Sequence, residues 1–267
     1  MTYQMIATDL DGTLLNSHSS LSNKTIKAIQ KLKLEDKVIV IASGRTYAEI
    51  VKLTKPLDLL TYNKAYFICY NGVLTVKTYP FTVLMKISLK KENIQEIIQS
   101  LGTESVKYHI FAENKLYLSH DIVKSLVHHQ PDSTDVKKID MSDYHREDDI
   151  YKILIYDDKP ALDLLKQRIP RHIYDKYCVV KSSNQLLEIF HKEGSKGHAL
   201  EYLSTLLSIP KENIVAFGDE ENDITMIQYA GLGIAMSNAK KIVVSSANEV
   251  TLSNDFDGVA VAIDKYF

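Results

Sequence analysis

Tryptophan is absent from the 267 residues, cysteine occurs only twice and proline six times. Two cysteines, Cys69 and Cys178, cannot build the disulfide framework of a small secreted domain. Both stand in apolar runs, which predicts buried, unreactive thiols in a reducing compartment. Long hydrophobic runs are missing too: a continuous one such as Val38 to Ala42 falls far short of the roughly 20 residues that span a bilayer. The start, Met1 to Ala7, has no basic segment and runs into Asp9 and Asp11, so no secretory leader is expected. A soluble, cytoplasmic protein with no membrane partner is. Charge of one sign is also lacking, since 32 Lys+Arg stand against 34 Asp+Glu for a net charge of -2. The basic residues are scattered, with only pairs at Lys90-Lys91, Lys137-Lys138 and Lys240-Lys241, so a surface that neutralises a nucleic-acid backbone is not expected. The 16 tyrosines form no regular aromatic–basic stripe and read as packing rather than as a base-stacking surface.

What is present is a rhythm. Tyr3 to Thr8 is a short apolar run, and a helix follows it, capped by Ser22 or Asn23 with apolar residues at Ile26, Ile29 and Leu32. Val38 to Ala42 is a continuous β-branched strand, Tyr47 to Leu53 a helix and Ala65 to Cys69 a third strand. The alternation returns late in the chain, with helices over 198–207 and 224–229 and strands over 214–217 and 232–235. Buried strands separated by helices imply βαβ crossovers and a parallel sheet. The stretch between differs, with polar helices over 91–100 and 160–169 and alternating segments over 109–118 and 150–156. The expectation is an α/β protein with a parallel-sheet domain from 1–81 and 186–267, interrupted by an α+β module over 82–185.

Four segments carry chemistry, each following a strand or opening a helix. Asp9-Leu10-Asp11-Gly12-Thr13 stands at the carboxyl end of the first strand, where open parallel sheets bind ligands. Two acids on one side of an extended chain repel unless a cation or a proton intervenes; an isolated Asp-Gly would be a mere turn. Ser43-Gly44-Arg45 follows the second strand and can aim N–H groups at an anion, although Ser43 could equally be a helix cap. Lys196 lies between Ser195 and Gly197 at a helix start, able to neutralise a phosphoryl group or simply to face solvent. Gly218-Asp219-Glu220-Glu221-Asn222-Asp223 puts four acids into five residues after a strand. That is either a solvated turn or an oxygen-ligand site for a hard cation such as Mg2+. No zinc spacing, serine-hydrolase pattern or P-loop accompanies them.

In this order the segments resemble the haloacid dehalogenase-like phosphatase superfamily, and within it the Cof-type sugar-phosphate phosphatases with a large inserted cap. Asn71-Gly72 and the run Ala230 to Ala239 add to the likeness. The resemblance implies a Rossmann-like core and a C2-type α+β cap. It implies hydrolysis of a small phosphorylated metabolite, with Asp9 as nucleophile and Asp11 as acid and then base. Mg2+ would be held by the Asp9 carboxylate, the Asp11 main-chain carbonyl and Asp219, with Asp223 acting through water. Ser43 and Lys196 would grip the phosphoryl oxygens, helped by the N–H groups of Gly44 and Leu10. Arg45 would join the substrate-binding set, and Asn222 would orient Lys196 or the phosphate. Cap residues His109, His128, His129 and Arg146 could meet substrate, although isolated cap histidines are expected at the surface. A monomer or weak homodimer is expected. A phosphosugar mutase and a non-catalytic phospho-ligand sensor remain open alternatives.

Overall fold

A computed structural model describes residues 3–102, 106–112, 115–118, 135–138 and 149–267. His128, His129 and Arg146 lie outside the described residues. The chain divides into two compact units, Met1–Lys86 with Ser195–Phe267, and Ile87–Gly194.

The first unit begins with strand β1 (Met5–Thr8), helix α1 (Asn23–Leu34), β2 (Val38–Ala42), α2 (Tyr47–Thr54) and β3 (Ala65–Cys69). Two further strands, β4 (Leu74–Lys77) and β5 (Thr82–Lys86), complete this half. The first three strands are apolar but for Thr8 and buried on both faces, as strands flanked by helices must be. Ser22 caps α1 by accepting from the Thr25 N–H, so of the two cap residues offered by the sequence the chain uses the serine. β4 pairs antiparallel with β3, and β5 folds back antiparallel on β4 as a hairpin. β5 therefore belongs to this unit's sheet and carries it to Lys86, past the residue 81 boundary read from the sequence.

The second unit contains α3 (Lys91–Leu101), β6 (Tyr108–Ala112), β7 (Lys115–Leu118), β8 (Asp135–Lys138) and β9 (Ile150–Tyr156). Helices α4 (Lys159–Arg168) and α5 (Arg171–Lys176) and strands β10 (Tyr177–Ser183) and β11 (Leu186–His191) follow. Its sheet has the order β10-β11-β9-β6-β7-β8, parallel only between β7 and β8. Because β11 pairs with β9, residues 186–194 stay with this unit. Alternation splits the sheet's residues. Ile110, Ile153, Ile155, Leu187 and Ile189 pack with Ile94 and Ile97 of α3, Leu162 of α4 and Ile173 of α5. His109, Lys152 and Glu188 take the alternate positions and are also buried. Lys152 Nζ pairs with Glu188 Oε2 at 3.0 Å. Cys69 is buried as expected, whereas Cys178 is half-buried.

The chain returns through α6 (Lys196–Leu206), β12 (Ile214–Gly218), α7 (Ile224–Tyr229), β13 (Leu232–Ala235), α8 (Lys241–Val244), β14 (Glu249–Val250) and α9 (Gly258–Tyr266). The eight-stranded sheet runs β14-β13-β12-β1-β2-β3-β4-β5. It is parallel from β14 to β3. β1 is central, pairing with β2 on one side and β12 on the other, Met5 opposite Val38 and Ile214. Helices α6 and α7 bury Ala199, Leu200, Leu203 and Met226 against one face, and α1 buries Ala28, Ile29 and Leu32. The carboxyl ends of β1, β2 and β12 therefore open side by side. Among the described residues, no helix is long and apolar enough to cross a membrane.

Candidate active site

Where β1 ends, the Asp9 N–H still donates to Phe217 O of the neighbouring strand (3.1 Å), and the chain then turns, with Thr13 N donating to Leu10 O (3.3 Å). Gly12 makes this turn at φ +78°, and a Cβ there would stand 2.4 Å from Asp219 Oδ2. No other residue tolerates both the angle and that approach. The turn sends Asp9 and Asp11 in different directions. Asp9 is buried, while the Asp11 side chain remains 46% exposed and pairs with Arg45. The two acids thus differ in burial and partner, yet the charge of Asp11 still helps to raise the Asp9 carboxyl.

Asp9 meets partners from 187 residues or more further along the chain. Lys196, in the first turn of α6, is fully buried and donates to Asp9 Oδ1 and to Asp223 Oδ1, each at 2.6 Å. Thr13 Oγ1 donates to Asp219 Oδ1 (2.6 Å). Asp223 Oδ2 accepts from the backbone N–H groups of Asp219 (2.9 Å) and Glu220 (3.0 Å). A short 3-10 turn, Glu221–Asp223, folds Asp223 back over the strand end. Gly218 permits this, since a Cβ there would lie 2.3 Å from the Asp223 Cβ. The run of four acids thus divides. Asp219 and Asp223 turn inward, while Glu220 and Glu221 pair with Lys240 at 2.7 and 3.5 Å.

The charges are unequal to their surroundings. Burial alone would push the Lys196 ammonium down, but Asp223 and Asp9 outweigh it and hold the proton on. Burial pushes Asp9 well above the ordinary carboxylate range against the pull of Lys196. Burial and then the charge of Asp223 push Asp219 up to about 7. Asp9, Asp219 and Asp223 each bring a carboxylate oxygen within 4.8 Å of the others. Three buried acids against one ammonium leave negative charge that a low-dielectric site resists. Oδ2 of Asp9 and Oδ2 of Asp219 receive no hydrogen bond from the described residues. An all-oxygen donor set of this kind fits a hard divalent cation.

The second-strand segment is tied in differently. Ser43 O accepts from Asn71 N (2.9 Å), and Arg45 O accepts from Tyr70 N (3.0 Å). Arg45 reaches Asp11 with two bonds, Nε to Oδ2 at 2.7 Å and Nη2 to Oδ1 at 2.8 Å. Asn71, buried at φ +62°, accepts on Oδ1 from Asn222 Nδ2 (2.9 Å). It thereby links the loop after β2 to the loop after β12. Lys196 is met by Asp223 and Asp9, while Asn222 serves Asn71. The sequence offered Asn71-Gly72 as an element after the third strand, and the physical reason for it is that Tyr70, Asn71 and Gly72 all take positive φ, which asparagine and glycine adopt most readily. The part played by Thr13 is one that spacing alone left unassigned. His109, expected at the surface, is buried on β6, where burial lowers its imidazole to about 4.

The sequence profile of haloacid dehalogenase-like hydrolases matches residues 6–263. The chain is 32% identical over 265 residues to the Bacillus subtilis (strain 168) protein YxeH, covering 98% of this chain and 97% of that one. It is 27% identical over 291 residues to 5-amino-6-(5-phospho-D-ribitylamino)uracil phosphatase YitU of the same organism, covering 98% and 97%. Among solved structures, a haloacid dehalogenase-like hydrolase from B. subtilis superposes with a TM-score of 0.85 at 26% identity, over 99% of this chain and 100% of the other.

Proposed function

The chain belongs to the haloacid dehalogenase-like hydrolases, and from that premise we propose that it is a cytoplasmic, Mg2+-dependent phosphatase of small phosphate monoesters working through an aspartyl-phosphate intermediate. The observation that supports this most is the fully buried Lys196 holding Asp9 and Asp223 beside Asp219. A sensor that only binds needs no carboxylate pinned by an ammonium in that position. The substrate class is a sugar phosphate or similar metabolite; YitU is named for an ester on a ribityl chain, which is chemistry of that kind.

The Asp9 carboxylate attacks phosphorus as the ester P–O bond breaks, and Asp11 gives its proton to the departing alcohol oxygen. Water then attacks the phosphorus of the aspartyl phosphate while Asp11 takes a proton back. The Asp9–phosphorus bond breaks, and inorganic phosphate leaves. Lys196 fixes the Asp9 rotamer and offsets the negative charge that gathers in the site. The N–H groups of Leu10 and Gly44 and the Ser43 hydroxyl complete the phosphoryl grip, with Asn222 supporting it through Asn71. The residues that would hold Mg2+ are Asp9, the Asp11 main-chain carbonyl, Asp219 and, through water, Asp223. Bound there, the ion would supply charge neutralisation that lets a dianionic phosphate approach a carboxylate.

The test is release of inorganic phosphate from a panel of phosphorylated metabolites and p-nitrophenyl phosphate, with and without EDTA. The expected outcome is release that EDTA stops, Mg2+ restores and Asp9→Asn abolishes while the circular dichroism stays unchanged. Turnover retained by Asp9→Asn would remove the nucleophile assignment. An isomer formed in place of phosphate would point to a mutase.

A further inference from the structure

Arg45 was expected on the phosphate, yet its guanidinium is spent on carboxylates. Nε and Nη2 form a two-point fork on Asp11, and Nη1 donates to Glu49 Oε1 at 3.2 Å. A planar fork on a planar carboxylate fixes its distance and also its plane, which an ammonium cannot do. The fork itself is anchored. Glu49 Oε2 accepts from Thr46 N (2.9 Å), and Thr46 Oγ1 accepts from Glu49 N (3.2 Å), which makes a capping box at the start of α2. The Arg45 N–H donates to Ser43 Oγ at 3.2 Å. Asp11, by contrast, stands on a glycine turn with 46% of its side chain exposed. Without the fork it would sample its rotamers in water.

We propose that Arg45 is a positioning residue: anchored by the cap of α2, it holds the Asp11 carboxylate in the orientation from which Asp11 gives its proton to the leaving alcohol oxygen, and it is not a phosphate ligand. The inference rests on the phosphatase reading above. It makes a distinctive demand. An alkoxide must receive the Asp11 proton as the P–O bond breaks, whereas p-nitrophenolate leaves as a stable anion without one. Loss of Arg45 therefore acts on the step that needs the proton and spares the grip on phosphate.

The experiment compares kcat and KM for p-nitrophenyl phosphate with those for the alkyl phosphate that the wild type cleaves fastest. In Arg45→Ala, kcat on the alkyl ester is expected to fall on the order of a hundredfold while the aryl ester loses less than about fivefold, with KM for both within about twofold. Guanidinium ion added to Arg45→Ala should restore alkyl turnover selectively, and Arg45→Lys should recover only part of it. Glu49→Gln, which loosens the anchor, should show the same selectivity at smaller amplitude, so the outcome does not depend on Arg45→Ala folding. Equal losses on the two esters, or a loss confined to KM, would overturn the assignment and return Arg45 to the phosphate. If the wild type releases no phosphate from any ester, the phosphatase reading falls and this inference with it. If the wild type turns over and the selectivity is absent, this inference alone falls.

Discussion

Lys196 is the residue on which most of the site's charge balance depends. It is the one ammonium among three buried carboxylates, and removing it strands Asp9 and Asp223 without a countercharge. Breaking a buried pair by deleting one partner costs about 3–5 kcal/mol, so Lys196→Met is expected to lower unfolding free energy by that amount and to abolish turnover. Urea denaturation reads the first, and a loss below about 1 kcal/mol would contradict the burial argument. His109 gives a second expectation at this scale, one of pH. Its imidazole is lowered by burial from 6.5 to about 4, and a folded value below the unfolded one makes the unfolded chain the better proton acceptor in that window. Stability is therefore present above pH 6.5 and is lost as pH falls toward 4. Between pH 7 and 4.5 the loss should be roughly 2–3 kcal/mol, and His109→Phe should flatten that limb. An unchanged slope in the variant would show that other groups titrate there. The sequence displayed the identities of Asp9, Asp11, Lys196, Asp219 and Asp223, since each follows a strand or opens a helix. It could not show direction. Asp11 turns to Arg45, and Asp223 spends both oxygens on Lys196 and two backbone N–H groups, because a glycine turn and one 3-10 turn decide where those side chains go.

At the scale of elements, helix ends do much of the positioning. Ser22 Oγ accepts from the Thr25 N–H (3.0 Å) and donates to Asp257 Oδ1 (2.5 Å), which joins the start of α1 to the start of α9. Ser22→Ala is expected to cost about 1–2 kcal/mol while leaving kcat unaltered, as thermal melts and a steady-state assay would show. A fall in kcat would mean that α1 communicates with the site. This cap was readable in advance, because a serine ahead of an apolar 3.6-residue period is a local signal. The same was true of β1, β2, β3, β12 and β13, whose apolar runs are short and continuous. The hairpin β4–β5 was not readable. Its residues are largely half-buried or exposed, as edge strands are, and a search for continuous apolar runs passes over them. β14 is only two residues long and exists through pairing with β13 rather than through any pattern of its own.

For the whole molecule, the separate apolar cores of the two units lead to an expectation about heat. Scanning calorimetry should resolve more than one transition. Only the transition of the unit that carries Asp9, Asp219 and Asp223 should move with Mg2+, by ~2.7 kcal/mol when the free ion reaches about 100 times its Kd. A common shift of every transition would argue that the units unfold as one. The pairing of Met5 with Ile214 across the middle of the sheet also sets an order in time. At about 5–20 residues per second, Asp9 leaves the ribosome on the order of 10–40 s before Asp219 is made. The inner unit has by then been synthesised in full. The unit that starts first is thus the last to close, and a nascent chain that already carries Asp9 and Lys196 lacks the full acid set until β12 and the turn after it arrive.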